Sequence, residues 1–189
     1  MIKWLFRRSK SSTAANQFRD SIGIDVSGPE FFDLYPTKLD FARRIATSGL
    51  FRNGDVDWIA AILHRIVTAG AGERTATDAV IRSGQELDET ALVALGLHRK
   101  MKIGRRFVAA LSANDVGGAI DHFRFAVRAT MSRANQLHNL RRGAEAGVTQ
   151  WRFSSPKDQR CTALEEELEG KRMSLEEARS LIIENGDQI

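Results

Sequence analysis

Val148-Thr-Gln-Trp-Arg-Phe-Ser-Ser-Pro-Lys-Asp-Gln-Arg-Cys-Thr-Ala-Leu-Glu-Glu-Glu-Leu-Glu-Gly-Lys171 is the stretch that the rest of the chain leads into. Val148 to Phe153 mixes Thr, Trp, Phe and Val with polar residues in alternation, which predicts a short strand. Ser154-Ser155-Pro156-Lys157-Asp158 is turn chemistry, because proline fixes one dihedral and serine and aspartate bond to nearby backbone. Thr162 to Glu169 predicts one or two helical turns, and Gly170 supplies the left-handed conformation that often ends a helix. Met173 is expected in an extended piece. Ser174-Leu175-Glu176-Glu177 then reads as a capping box that opens a helix carrying Ala178, Leu181 and Ile182.

Upstream, helical signals dominate. Leu39 to Thr47 places Ala42, Ile45 and Ala46 at helical intervals. Asn53-Gly54-Asp55 is a turn, with Asp55 a candidate cap. Val56, Ile59, Ala60, Leu63, Ile66 and Val67 form one buried stripe, closed by Gly70 and Gly72. Glu73 to Ser83 is a weaker helix with Ala76, Ala79 and Val80 on one side. Asp88 caps a helix expected to carry Leu92, Leu95 and Leu97, and Gly104 breaks or bends the segment after it. Asn114-Asp115 starts the longest helix, to about Ala146, with Val116, Ile120, Phe123, Val127, Ala134 and Leu137 as its packing stripe. The fold class is therefore mainly α, with a small α+β C-terminal unit. The expected division is 1–36 as a basic arm and irregular segment, 37–147 as a helical domain, and 148–189 as a strand–turn–helix unit.

Composition narrows the classes. The chain of 189 residues suffices for one sizeable core, and 42% apolar with 28% charged residues is ordinary globular composition. A single cysteine, Cys161, excludes an intramolecular disulfide framework. No apolar run reaches membrane-spanning length, and Met1 to Arg8 lacks signal-peptide order, so a cytoplasmic protein is expected. The arm to Thr13 holds Trp4, Leu5 and Phe6 among Lys3, Arg7, Arg8 and Lys10. It reads as a frayed terminus or as a docking segment for a partner or anionic membrane.

The net charge of +4 is unevenly spread. Thr90 to Ala144 has 10 Lys and Arg against Asp115 and Asp121, a balance of +8. Arg99, Lys100, Lys102, Arg105 and Arg106 are the densest cluster, and Arg124 and Arg128, four apart on a helix face, extend it. Such a field attracts nucleic acid or an acidic protein surface; the plainer reading is a set of solvated helix faces. Arg141 and Arg142 near a helix end are explained by its dipole alone.

Catalytic and metal chemistry is sparse. His64, His98, His122 and His138 are scattered, and Cys161 has no Cys-x-x-Cys partner, so no zinc site and no cofactor are expected. His64 reads as a structural histidine. Gly117-Gly118 lacks the strand-to-helix setting of a nucleotide loop. Arg160 beside Cys161 would lower the thiol's pKa in a positive environment, but a structural cysteine is the simpler reading. The acidic run from Glu165 to Glu169 reads as a solvated face.

From Arg128 onward the chain resembles the phage Mu F-like head-morphogenesis family, which includes minor capsid proteins. The likeness is carried by Arg128, Arg133 and Asn135 on one helix, Gly147 followed by Trp151, the turn Asp158-Gln159-Arg160-Cys161, and the closing Gly170-Lys171. Family members often add Cys and His residues that look metal-binding. Those are absent here, and Arg160 directly precedes Cys161. The resemblance implies a head-assembly or portal-associated protein, located in the virion if phage-derived. Its expected partner is a capsid or portal protein, with non-specific DNA contact and no integral membrane segment. Rival readings are a bacterial DNA- or RNA-binding regulator using basic helices, and a small nuclease or transferase built on Cys161, Asp158, Arg160 and a histidine.

Overall fold

The computed structural model describes residues 5–8, 35–112, 114–154 and 163–185. The described chain is mainly helical, with one small antiparallel sheet. Contacts divide it into two units, Tyr35–Met131 and a second formed by residues before 35 and after 131. The division falls inside the longest helix, at 131/132, where the sequence pattern had placed it at 147/148.

The first unit opens with α1, Lys38–Ser48. Thr37 and Asp40 form a reciprocal capping box at its start. Its buried residues are Phe41 and Ile45; Ala46, expected on the inner face, is exposed. A single 3-10 turn at Asn53–Asp55 leads into α2, Val56–Thr68. Asp55 does not cap α2 with its side chain. Its carboxylate instead accepts a bond from Trp58 Nε1 at 2.8 Å. The stripe on α2 is as expected, with Ile59, Ala60, Leu63 and Val67 buried and Val56 and Ile66 packed partly against the core. His64 Nδ1 faces the Pro36 carbonyl at 3.2 Å and so carries the proton there, a structural role.

Next come α3, Glu73–Ile81, and α4, Glu89–Ala94. Asp88 caps α4 by accepting from Ala91 N at 2.8 Å. Leu95 and Leu97 lie beyond α4, not within it: Gly96 takes φ 70°, and Leu97 N returns to the Leu92 carbonyl. The six-residue α5, Arg105–Ala110, starts directly after Gly104. Phe51, between helices, is bridged to Leu111 and completes a three-ring cluster with Phe107 and Phe123. The edge-on contacts, 5.7 Å to Phe107 and 5.4 Å to Phe123, are the favoured geometry for such pairs.

Gly104 does more than interrupt a helix. Its N–H donates to the Ile81 carbonyl at 2.8 Å, Arg105 N donates to Gln85 O at 2.8 Å, and Leu87 N donates to Ile103 O at 2.9 Å. These three bonds clasp residues 81–87 against 103–105. A Cβ at position 104 would stand 1.8 Å from the Ser83 carbonyl oxygen. The backbone angles there, φ −87° and ψ 145°, suit any residue, so it is space and not conformation that requires glycine.

The 30-residue α6, Val116–Glu145, contributes residues to both units. Asp115 Oδ1 accepts from Gly118 N at 3.0 Å at its start. Val116, Ile120, Phe123, Val127 and Leu137 of its expected stripe are buried, and Ala134 is half-buried.

In the second unit, β2, Val148–Arg152, is the central strand between β1, Leu5–Arg8, and β3, Arg172–Met173. Both pairings are antiparallel. Residues 5–8, read from the sequence as part of a basic arm, thus form a strand. Phe6 pairs with Trp151 and Arg8 with Val148, so two steps on β1 span three on β2. The extra residue is a bulge on β2. It explains why Val148 and Trp151, an odd number apart, are both buried when strict alternation would put them on opposite faces. Phe153 N donates to Lys171 O and Gly170 N to Phe153 O, closing the end of the strand against the turn after α7, Ala163–Leu168. Gly170 has φ 77°, the left-handed conformation expected of it. The last helix, α8, Leu175–Asn185, buries Leu175, Ala178 and Ile182 against Trp151, Phe153 and Met173, with Leu137 and Leu140 from α6.

Three outcomes follow from these contacts. Gly104→Ala should lower stability by about 1–3 kcal/mol or more, because backbone must move to admit the methyl group; chemical denaturation checks this. Trp151 is fully buried, so Trp151→Ala should cost roughly 3–5 kcal/mol, and an unchanged unfolding midpoint would contradict the packing. The third concerns the capping box at α8, where Ser174 N donates to Glu177 Oε2 at 2.8 Å and Glu177 N donates to Ser174 Oγ at 3.2 Å. The backbone bond first, then the hydroxyl, hold the Glu177 carboxyl below its usual value. A lowered folded pKa means the contribution is present above the ordinary carboxyl range and lost as pH falls through the lowered value. In Ser174→Ala the Glu177 pKa, followed by NMR, should rise only part of the way, since the larger backbone bond remains.

Candidate nucleic-acid interface

Seven cations were singled out from the sequence, and the structure sorts them into two groups. Arg99, Lys100, Lys102, Arg105 and Arg106 are all exposed. They are not on a long basic helix. Arg99, Lys100 and Lys102 occupy the connection between α4 and α5, and only Arg105 and Arg106 are helical. Lys100 N donates to His98 Nδ1 at 3.2 Å, a local tie within that connection. The Gly104 clasp fixes where the connection ends.

Arg124 and Arg128 share a face of α6, as their spacing requires, but α3 meets them with carboxylates. Arg124 Nη2 lies 3.3 Å from Asp78 Oδ1 and Arg128 Nε 3.0 Å from Glu73 Oε2. Arg82 also reaches Asp78, at 3.5 Å. The arginines of these pairs are exposed and the carboxylates partly buried; each pair contributes little to stability, yet offsets local charge. No ion pair joins Arg99, Lys100, Lys102, Arg105 or Arg106 to a carboxylate among the described residues. The nearest acidic residue by backbone pairing is the exposed Glu86, bridged to Gly104.

Arg106 differs from its neighbours. Its guanidinium carbon stands 4.1 Å from the centroid of the Trp58 ring, a cation–π contact between α5 and α2. No sequence pattern announces this contact, because Trp58 is an ordinary member of an apolar stretch and lies far from Arg106 along the chain.

The residues of the family resemblance are dispersed. Trp151 is in the core of the second unit, with its indole Nε1 buried and without a hydrogen-bond partner among the described residues. Gly170 and Lys171 close the strand end. Arg133 Nη1 reaches the Ile183 carbonyl at 3.5 Å, and Asn135 is exposed. Asp158, Arg160 and Cys161, and with them the Cys–His catalytic alternative, lie outside the described residues. Glu165 of the acidic run is buried, while Glu166 and Glu167 are exposed. Arg141 pairs with Glu145 at 2.8 Å. Among the described residues, no group of three or more His, Cys, Asp or Glu is arranged to hold a metal, and no helix is long and apolar enough to cross a membrane.

Comparisons with family models, with curated proteins and with solved structures return no match. The class that the described residues define is a mainly helical protein with a small antiparallel sheet.

Proposed function

We propose that this is an assembly protein of the phage head-morphogenesis type, which holds nucleic-acid phosphate without sequence preference on the 99–106 surface. The observation that carries the nucleic-acid half is the difference between the two groups of cations. Arg124 and Arg128 are opposed by Asp78 and Glu73. Five exposed cations within eight residues have no such opposition among the described residues. Unopposed charge on a fixed connection suits backbone phosphates, which position a protein but carry no sequence information.

The regulator reading needs a helix that can lie in the major groove. The one helix in the cluster, α5, has six residues, about 9 Å of length, and buries Phe107 and Ala110. That favours phosphate contact over base reading. The assembly half rests on the ordered likeness from Arg128 to Lys171, with a capsid or portal protein as partner.

A salt titration on labelled random and fixed-sequence DNA tests the first half. Both should bind alike, with dissociation constants on the order of 10⁻⁴–10⁻⁶ M at physiological salt. With about four to five phosphates neutralised, log affinity should fall against log salt with a slope of about −4. Arg99→Ala/Lys100→Ala/Lys102→Ala should reduce that slope, while Arg124→Ala/Arg128→Ala should change it little. No binding at low salt would remove DNA from the proposal, and strong preference for one sequence would favour a regulator. For the second half, the chain should co-sediment with heads when expressed with the capsid and portal proteins of its phage; its absence from them would overturn the assembly role.

A further inference from the structure

The Trp58–Arg106 contact gives the basic surface a feature that charge alone does not. The guanidinium carbon lies over the indole, 4.1 Å from its centroid. The indole is held in turn: Nε1 donates to Asp55 Oδ1 at 2.8 Å, which fixes the ring's rotation and sets a negative group at its edge. Arg106 is exposed and Trp58 half-buried. The guanidinium is planar, so a face turned away from the ring is a flat cationic surface for a ligand. Gly84 restricts this end of the arrangement further, since a Cβ there would stand 2.9 Å from Arg106 Cβ. The Arg106 backbone is therefore closely seated, and its side chain has a ring to lie on.

Unpaired nucleobases stack on aromatic rings and on guanidinium planes. We propose that Trp58 and Arg106 form a stacking platform for an unpaired base, so that the ligand of the basic surface is single-stranded nucleic acid. This rests on the reading that the 99–106 segment binds nucleic-acid phosphate. Arg105, next in the chain, and the exposed Arg99, Lys100 and Lys102 supply the phosphate contacts. Arg106 supplies the base contact, in the order base, guanidinium, indole. A duplex keeps its base faces inside its own stack and offers only backbone charge. The platform therefore discriminates strand number, not sequence, because every base has a π-face.

The test compares a labelled oligothymidylate with a duplex of equal phosphate number, by fluorescence anisotropy at one low salt concentration. The single strand should bind more tightly. Arg106→Lys keeps the charge and loses the plane; it should weaken single-strand binding about tenfold and duplex binding much less. Bound oligothymidylate should also quench tryptophan emission, and that quenching should disappear in Trp58→Phe, with circular dichroism confirming that each variant is folded. If both nucleic acids bind but Arg106→Lys affects neither, or affects both equally, the platform is wrong and the phosphate surface stands. If neither binds, the phosphate reading fails and the platform with it.

Discussion

The close approach of Gly104 to the Ser83 carbonyl is the constraint on which the helical unit turns. Three backbone hydrogen bonds join residues 81–87 to 103–105, and they form only because no side chain stands at 104. Two consequences follow along the chain in opposite directions. Forward, α5 starts at a fixed point, so Phe107 enters the ring cluster with Phe51 and Phe123 while Arg106 comes over Trp58. Backward, Ile103 is drawn into the core and the connection that carries Arg99, Lys100 and Lys102 is left outside. The same contact thus helps build the core and presents the charges.

Much of the fold was legible because its signals are local. Asp88 and Ser174 cap helices whose partners lie three residues away, and the stripe on α2 repeats within one helix. Gly170 announces its left-handed turn by being glycine. What escaped the sequence is non-local. Phe51 sits between Leu50 and Arg52 with no periodic context, and its meaning depends on Phe107 and Phe123 arriving from elsewhere. The strand at 5–8 looked like a charged terminus because its pairing partner is more than a hundred residues away. A glycine required for space and not for its angles, as at 104, gives no signal of its own; the same letter predicted a break, which is the lesser part of its role.

The second unit shows how a pattern can name an element correctly and still misplace its faces. Alternation from Val148 to Phe153 marks a strand, and a strand is present. Strict period two would have sent Val148 and Trp151 to opposite sides. The bulge inserts one residue between them relative to β1, and both enter the core. The parity of a strand is thus decided by its neighbour's register as well as by its own composition.

The candidate site illustrates the same limit for charge. A balance of +8 from Thr90 to Ala144 treats every cation alike, because it counts only acids nearby in sequence. Folding brings Glu73 and Asp78 of α3 against Arg128 and Arg124, about fifty residues later. Among the described residues, the cations from Arg99 to Arg106 are then the dense cluster left without an ion-pair partner. Their closeness has a physical consequence: field strength near a surface falls over about 10 Å at ordinary salt, so cations close together act on one phosphate chain while dispersed ones act separately. Within that group Arg106 has an aromatic support, the Trp58 ring. An ammonium offers a point charge, whereas a guanidinium is planar. In Arg106 that plane lies beside an indole as well, so its charge and its aromatic neighbour act at one place on the surface.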